Sequence, residues 1–392
     1  MISFARKKAS ITPNVPKEEP KGDLQKVEIF EIKEILPHSN ADRLEFALIE
    51  GWTCVVGKGQ FQVGNLALYI PVDSVLPDDV ENILFPPGSK ITLHKHRVRS
   101  IKIRGQLSQG MLVTPEQIGI YEYKVGDSFA EKLDIRKYEP PEPKFQSNTS
   151  GNQVSKKNKN PYFKEYTDIQ HFKWYKNLFE QGEIVFVTEK IHGCNFRAGW
   201  VPFVPRTFWD KVKYFLKITK PYEFVYGSRR VQLQYKKKYK GYYDDNIYLE
   251  MVKKYDLEKR IPEGYVVYGE VYGDGIQKNY NYGCVKGERK LALFDIQEVG
   301  KDYNTYLNTN HFQDIVEYWG LPKVPVLYEG PYEANLIHRL ANTHPSTLCS
   351  EQKIKEGVII KPAYETQSIA GRKVLKYISD SYYLDKNNSD FH

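Results

Sequence analysis

The stretch that decides the reading is Val187-Thr188-Glu189-Lys190-Ile191-His192-Gly193-Cys194-Asn195-Phe196. It continues Ile184-Val185-Phe186, so an apolar, β-branched run ends on a lysine, with a glycine three residues further on. That composition predicts a strand. Gly193 permits a tight turn and the close approach of another backbone, which leaves Lys190 at a strand end where an amine can face a ligand. On its own a K-x-x-G is better explained as a surface lysine, so the rest of the chain has to decide.

Moving outward, further β-type runs follow: GYVVYGEVYG (264–273), RKLALFDI (289–296), KEGVIIKP (355–362) and RKVLKYIS (372–379). Two helical patterns lie among them. Ile247, Met251, Val252 and Tyr255 follow a cap at Asp245 or Asn246, and Phe312, Ile315, Val316 and Trp319 are stopped by Gly320. Strands at irregular spacing mixed with helices predict an α+β domain of antiparallel sheets flanked by helices over 162–392. Upstream, residues 139–161 lose apolar periodicity and gather Pro, Ser, Asn and Lys, the composition of a linker. Residues 24–138 carry short β runs punctuated by Gly, Pro, Asn and Asp, which predict an OB-type β-barrel. Residues 1–23, rich in Lys, Pro and Glu, read as a disordered tail.

A chain of 392 residues is too long for one core, in keeping with two domains. Its 41% hydrophobic and 27% charged residues exclude wholesale disorder. No run reaches the ~18 apolar residues of a bilayer span, and MISFARKKASITP has no apolar segment of the kind a secretory signal needs. Cys54, Cys194, Cys284 and Cys349 form no C-x-x-C, which argues against a zinc knuckle and a disulfide framework. A soluble protein of the reducing cytoplasm is expected. The net charge of +8 makes phosphate-rich partners plausible.

The runs that follow Lys190 form an ordered series. Thr188 to Asn195 are followed by Gly227-Ser228-Arg229, Tyr268-Gly269-Glu270-Val271-Tyr272-Gly273, Leu293-Phe294-Asp295-Ile296, Glu356-Gly357-Val358-Ile359-Ile360-Lys361 and Arg372-Lys373-Val374-Leu375-Lys376. In this order they resemble the covalent nucleotidyltransferases, and specifically the nick-sealing, RNA ligase 2-like family, over residues 161 to about 385. Five or more ordered motifs, each at a strand or strand end, outweigh the separate explanations of Glu270 and Glu356 as solvated carboxylates and of Phe294 as core. An OB domain placed before the ligase core is similar to the Deinococcus and Naegleria type of RNA ligase. DNA ligases and capping enzymes carry that domain after the core, where this chain has no room for one. The chain departs from its branch at His192, where the branch favours an acid.

The resemblance implies Lys190 as the nucleophile, with Lys376, Arg229 and His192 also catalytic. It implies Glu189, Asn195, Glu270, Phe294, Glu356 and Lys373 at the ATP or AMP, and Glu270 and Glu356 at a Mg²⁺ or Mn²⁺ ion. Phe294 would stack on adenine; strand alternation would turn Asp295 to the opposite face, where it braces the site. The residue chemistry agrees. A lysine attacks phosphorus only when deprotonated, and nearby cations or burial lower its proton affinity. Two carboxylates suit an ion that keeps most of its waters.

Basic residues are uneven. The run Lys90 to Arg104 contains no acid, which makes Arg97, Arg99, Lys102 and Arg104 candidates for RNA binding, as are Arg230, Lys236, Lys237 and Lys238. Between Arg206 and Lys240 lysines and arginines interleave with aromatic rings. There Trp209, Val212 and Leu216 sit at helical spacing, so a solvated helix with rings packed inward is preferred over a membrane-surface helix. The whole reading is an ATP-dependent RNA ligase, acting as a monomer with no membrane partner on RNA with 3′-OH and 5′-phosphate ends, including nicked duplexes. The opposing reading is a non-catalytic RNA-binding protein with a tRNA-binding-like OB domain and a degenerate transferase fold.

Overall fold

The computed structural model describes residues 23–89, 92–138, 159–233, 246–333, 335–343 and 345–385. The chain divides into two compact units. Among the described residues the first comprises 23–49, 53–99 and 108–138, and the second 50–52, 100–107 and 159–385.

The first unit is built from short strands that alternate buried and half-buried positions, as in Trp52–Gly57. Glu28–Glu31, Leu66–Ile70 and Met111–Val113 form one antiparallel sheet, and Glu34–Pro37, Leu44–Ile49 and Trp52–Gly57 another. Val27, Ile29, Leu68, Ile70, Val98 and Val113 meet in a single core. This is the β-barrel architecture expected of the first domain.

The second unit contains two larger sheets. In the five-stranded sheet the order is Gln170–His171, Leu375–Ile378, Gly357–Pro362, Ile184–Lys190 and Val326–Pro331. All its pairings are antiparallel except that of the first two strands. The six-stranded antiparallel sheet runs Gln232–Leu233, Tyr222–Gly227, Cys194–Pro202, Tyr265–Gly273, Arg289–Val299 and Asn304–Tyr306. Both expected helices form, as Ile247–Lys254 and Thr309–Tyr318. Asn246 caps the first by accepting from the Leu249 N–H at 3.0 Å. Their apolar stripes, Tyr248, Met251, Val252, Phe312 and Val316, are buried with Phe196, Val267, Val271 and Leu293 of the six-stranded sheet. The α+β class is therefore as read from the sequence. No helix among the described residues is long and apolar enough to cross a membrane.

The segment between the Cys194–Pro202 and Tyr222–Gly227 strands differs from expectation. A helix forms over Phe208–Phe215, started by a capping box of Thr207 and Asp210, but none of its residues is buried. Trp209 and Leu216 are exposed and Val212 half-buried, so the rings do not pack inward.

Candidate active site

Lys190 ends the 184–190 strand, and the chain crosses from the five-stranded to the six-stranded sheet through Ile191-His192-Gly193. A Cβ at Gly193 would lie 2.3 Å from the Val271 carbonyl oxygen and 2.8 Å from Glu270 Cγ. The glycine is thus required by the approach of the Tyr265–Gly273 strand, and that approach brings Glu270 toward Lys190. Asn195 lies directly opposite Glu270 in the strand register.

The Lys190 ammonium donates to Glu356 Oε1 at 2.5 Å. Glu356 immediately precedes the Gly357–Pro362 strand, in which Gly357 pairs with Lys190. Its second oxygen, Oε2, is buried without a hydrogen bond and lies 3.9 Å from His192 Nδ1. His192 is held in an aromatic cage. Its ring meets Tyr280 edge-on at 5.0 Å, Tyr382 Oη stands 3.2 Å from Nδ1, and its backbone N–H donates to Tyr282 Oη at 2.7 Å. Glu270 has a carboxyl raised to about 8, because burial outweighs the pull of Lys190 and nearby Glu356 adds to the effect. Asn195 Oδ1, like Glu356 Oε2, is a buried acceptor with no partner. Buried polar atoms are almost always bonded, so two orphan acceptors beside a lysine and a second carboxylate mark a place built for a polar ligand. Burial, with Glu270 nearby, pushes the Cys194 thiol up to about 12, which removes it as a competing nucleophile.

Lys376 reaches the same face by register. Thr188 pairs with Ile359 and Ile359 with Lys376, so these three side chains share the face on which Lys190 stands two residues beyond Thr188. Arg229, just after the Tyr222–Gly227 strand, forms an ion pair with Asp168 and is close enough to Glu270 to lower its proton affinity. Glu189 faces away: its oxygens accept from Ser346 Oγ at 2.6 Å and the Thr347 N–H at 2.7 Å, which ties the 346–347 segment to the strand end. Lys373 is not brought to this place. Its ammonium bonds Glu183 at 2.8 Å, at the opposite end of the 184–190 strand from Lys190.

Phe294 and Asp295 do not alternate simply. Tyr268 pairs with Asp295 and Gly269 with Leu293, so Phe294 is the extra residue of a β-bulge. Both side chains then meet Tyr166, the Phe294 ring edge-on at 4.9 Å and Asp295 Oδ2 accepting from its hydroxyl at 2.7 Å. Asp295 is 2% exposed and also accepts from Lys361 at 2.9 Å and Arg372 at 3.0 Å. Burial acts to raise its carboxyl, but Arg372 and Lys361 outweigh it and hold the group below its ordinary value. Lys361 belongs to the five-stranded sheet and Asp295 to the six-stranded one, so this buried cluster joins the two sheets that carry Lys190 and Glu270.

The basic candidates separate. Arg97 is a structural residue of the first unit, bonded to Asp73 through Nε and a terminal nitrogen and lying 3.9 Å from the Tyr138 ring centre. The run is free of acids along the chain but not in space. Arg99 is half-buried, whereas Lys102 and Arg104 are exposed on and beside the Ser100–Ile103 strand. Arg230 is half-buried, with its carbonyl accepting from Lys159. Lys236, Lys237 and Lys238 lie outside the described residues. The partners Asp168, Tyr280, Tyr282, Tyr382, Ser346 and Tyr166 were not singled out from the sequence, since each comes from a segment with no motif of its own.

A strand-end lysine paired to one carboxylate and faced by a second, where the chain crosses between two mostly antiparallel sheets, defines a nucleotidyltransferase domain preceded by an OB-type barrel. Comparison with known proteins agrees. The RNA ligase family model matches residues 183–378 and an OB-fold domain model matches residues 26–115. Among solved structures, a Naegleria gruberi RNA ligase variant with ATP and Mn is 25% identical, with a TM-score of 0.68 over 92% of this chain and 98% of that one. The Naegleria gruberi RNA ligase with PPi is 25% identical, with a TM-score of 0.65 over 91% and 97%. No curated protein matched the chain. The chain belongs to the RNA ligase family.

Proposed function

We propose that this RNA ligase uses ATP to join an RNA 3′-OH end to a 5′-phosphate end, at nicks in duplexes, through lysyl-AMP and RNA-adenylate intermediates. The observation that carries the reading is the Lys190 amine 2.5 Å from Glu356, with Glu270 brought beside it by the close approach at Gly193. ATP as the nucleotide is supported by the similar Naegleria ligase, solved with ATP and Mn and with PPi.

In the first step deprotonated Lys190 Nζ attacks the α-phosphorus; the P–N bond forms, the bond to the β-phosphate oxygen breaks and pyrophosphate leaves. A 5′-phosphate oxygen then attacks the same phosphorus, the P–N bond breaks, and the electron pair returns to Lys190. Finally the 3′-OH attacks the phosphorus of the 5′-phosphate, AMP leaves, and the hydroxyl proton goes to solvent. Lys376 and Arg229 bind phosphate oxygens, and His192, fixed by Tyr280 and Tyr382, orients the Glu356 carboxylate beside it. Asn195 Oδ1 takes a hydrogen bond from the nucleotide, and Phe294 presents its ring to adenine. Glu189 acts on the nucleotide only through the position it gives the strand end, and Lys373 has no part.

Among the described residues no three His, Cys, Asp or Glu side chains converge into a metal cage. Glu270 and Glu356 instead fit an ion held by two carboxylates and its own waters, Mg²⁺ or Mn²⁺, and the unbonded Glu356 Oε2 supports that fit. Such an ion supplies positive charge against the charge that develops at the α-phosphate. Lys102 and Arg104 contact RNA phosphates.

The test is covalent labelling. With ATP labelled at the α-phosphate and Mn²⁺, the protein should acquire label that survives denaturation, and Lys190→Ala should acquire none. Equal labelling of the alanine variant refutes the assignment, and absence of label on the folded parent refutes the ATP chemistry.

A further inference from the structure

The helix Phe208–Phe215 presents the wrong face to solvent for a helix that serves only the fold. Phe208, Trp209, Val212, Phe215 and Leu216 recur at spacings that place them on one side of a helix. That side faces outward: Phe208, Trp209, Phe215, Leu216 and the following Ile218 are 72%, 68%, 85%, 56% and 70% exposed. Polar groups and one ring contact, on the side away from those residues, hold the helix in place. Asp210 closes the capping box with Thr207 and accepts from the Arg206 N–H, and Tyr214 accepts from Lys301 at 2.8 Å and lies near the Phe203 ring. Exposed Lys211, Lys213, Lys217 and Lys220 surround the apolar face.

We propose that this face is an interfacial anchor that seats the second unit on an anionic lipid bilayer. Five large apolar side chains on one exposed stretch exceed the scattered singles ordinary on a soluble surface and mark an interaction site. The lysines select a negatively charged partner. Between the two such partners at hand, the chemistry of the patch favours lipid over RNA, because Val212, Leu216 and Ile218 have no π-face on which a base could stack. Aliphatic and aromatic side chains together, rimmed by lysines, match the boundary between headgroups and acyl chains, where apolar insertion and electrostatic attraction supply the two signals that stable binding needs. At this segment the preference for a solvated helix over a membrane-surface helix rested on inward-packed rings, and their exposure removes that ground. The inference does not depend on the ligase chemistry above.

The experiment mixes the full chain with large unilamellar vesicles of phosphatidylcholine alone or of phosphatidylcholine with 30% phosphatidylglycerol, at low and at 0.5 M salt, and reads flotation. The chain should float with the anionic vesicles at low salt and not with the neutral ones. Trp209 emission should shift to the blue on anionic vesicles, and the shift should vanish in Trp209→Phe. The triple variant Phe208→Ser, Trp209→Ser, Phe215→Ser should lose at least ~100-fold in partitioning, since each side chain contributes on the order of tenfold, while Lys190 still accepts AMP. Lys211→Glu with Lys213→Glu and Lys217→Glu should also detach the chain, with the apolar face intact; this second variant decides should the first fail to fold. Unchanged flotation of either folded variant, or no flotation of the parent, overturns the proposal. So does a triple serine variant that still floats but binds a nicked RNA duplex more weakly, or a parent that sediments as a dimer, floats with neither vesicle and becomes monomeric in that variant.

Discussion

Replacing Glu270 by glutamine should flatten part of the dependence of stability on pH. In the metal-free protein burial, reinforced by Glu356 and opposed by Lys190, holds the Glu270 carboxyl at about 8 against its ordinary 4.5. The folded chain keeps a proton that the unfolded chain releases between these values, so stability falls as pH rises through that window and levels off above it. At ~1.4 kcal/mol per tenfold change in proton affinity, the full effect is of the order of 5 kcal/mol. The site is only half-buried, and solvent screening reduces the observable share to about 2 kcal/mol. Glutamine keeps the shape of the neutral acid and cannot ionise. Urea unfolding in EDTA at pH 5, 7 and 9 should therefore show Glu270→Gln close to the parent at pH 5 and more stable by roughly 2 kcal/mol at pH 9. Mn²⁺ should restore the parent at pH 9 and leave Glu270→Gln unchanged, because the ion competes with the proton for a carboxylate only the parent has. Parallel profiles for the two proteins from pH 5 to 9 would refute the reasoning.

Glu356→Ala should lose at least ~100-fold in formation of the lysyl-AMP, the scale of removing one preorganised charged group, with its circular dichroism unchanged; near-parental labelling rates in quenched-flow assays would show an ordinary strand carboxylate. Asp295→Asn removes the carboxylate that Lys361 and Arg372 share and leaves Glu365 as the acid bonded to Arg372, so buried Lys361 loses its ion-pair partner and urea unfolding should register a loss of about 3 kcal/mol. Lys102→Glu with Arg104→Glu should weaken binding of a nicked duplex and lower its salt slope by about one for each phosphate that is no longer neutralised, while labelling of Lys190 stays at the parental level.

What was legible followed from period and spacing. A strand's period of two and the glycine at 193 were enough to place Lys190 at a turn between strands, and the helical stripes at 247–255 and 312–319 were enough to assign their buried faces. The partners were not legible, because they arrive from segments remote in the chain: Asp168 at Arg229, Tyr382 at His192, Ser346 at Glu189. Arg97 looked available because no acid adjoins it in sequence, yet Asp73 reaches it through the barrel. Phe294 and Asp295 looked like a simple alternating pair because a bulge without glycine leaves no mark in the sequence. At 208–216 the periodicity showed which side chains share a face, and nothing in a periodicity says whether that face meets the core.

Lys190 rests against a group that opposes its own chemistry. An ion pair at 2.5 Å favours the ammonium form, and an ammonium has no electron pair with which to attack phosphorus. Glu356 thus plays two parts of opposite sign. Toward Lys190 its Oε1 acts as a brake; through the unbonded Oε2 it offers negative charge to any cation that accompanies the nucleotide. A positive charge at Oε2 competes with Lys190 for one carboxylate, and Lys376 on the same sheet face adds a second cation that disfavours the ammonium. On the proposed chemistry, filling the site is what should free the amine to attack. Glu356→Ala removes brake and acid together, so the sign of its effect weighs one against the other. The expected ~100-fold loss says that charge stabilisation at the α-phosphate outweighs the gain from a freed lysine, and a rate increase would say that the ion pair is the dominant barrier.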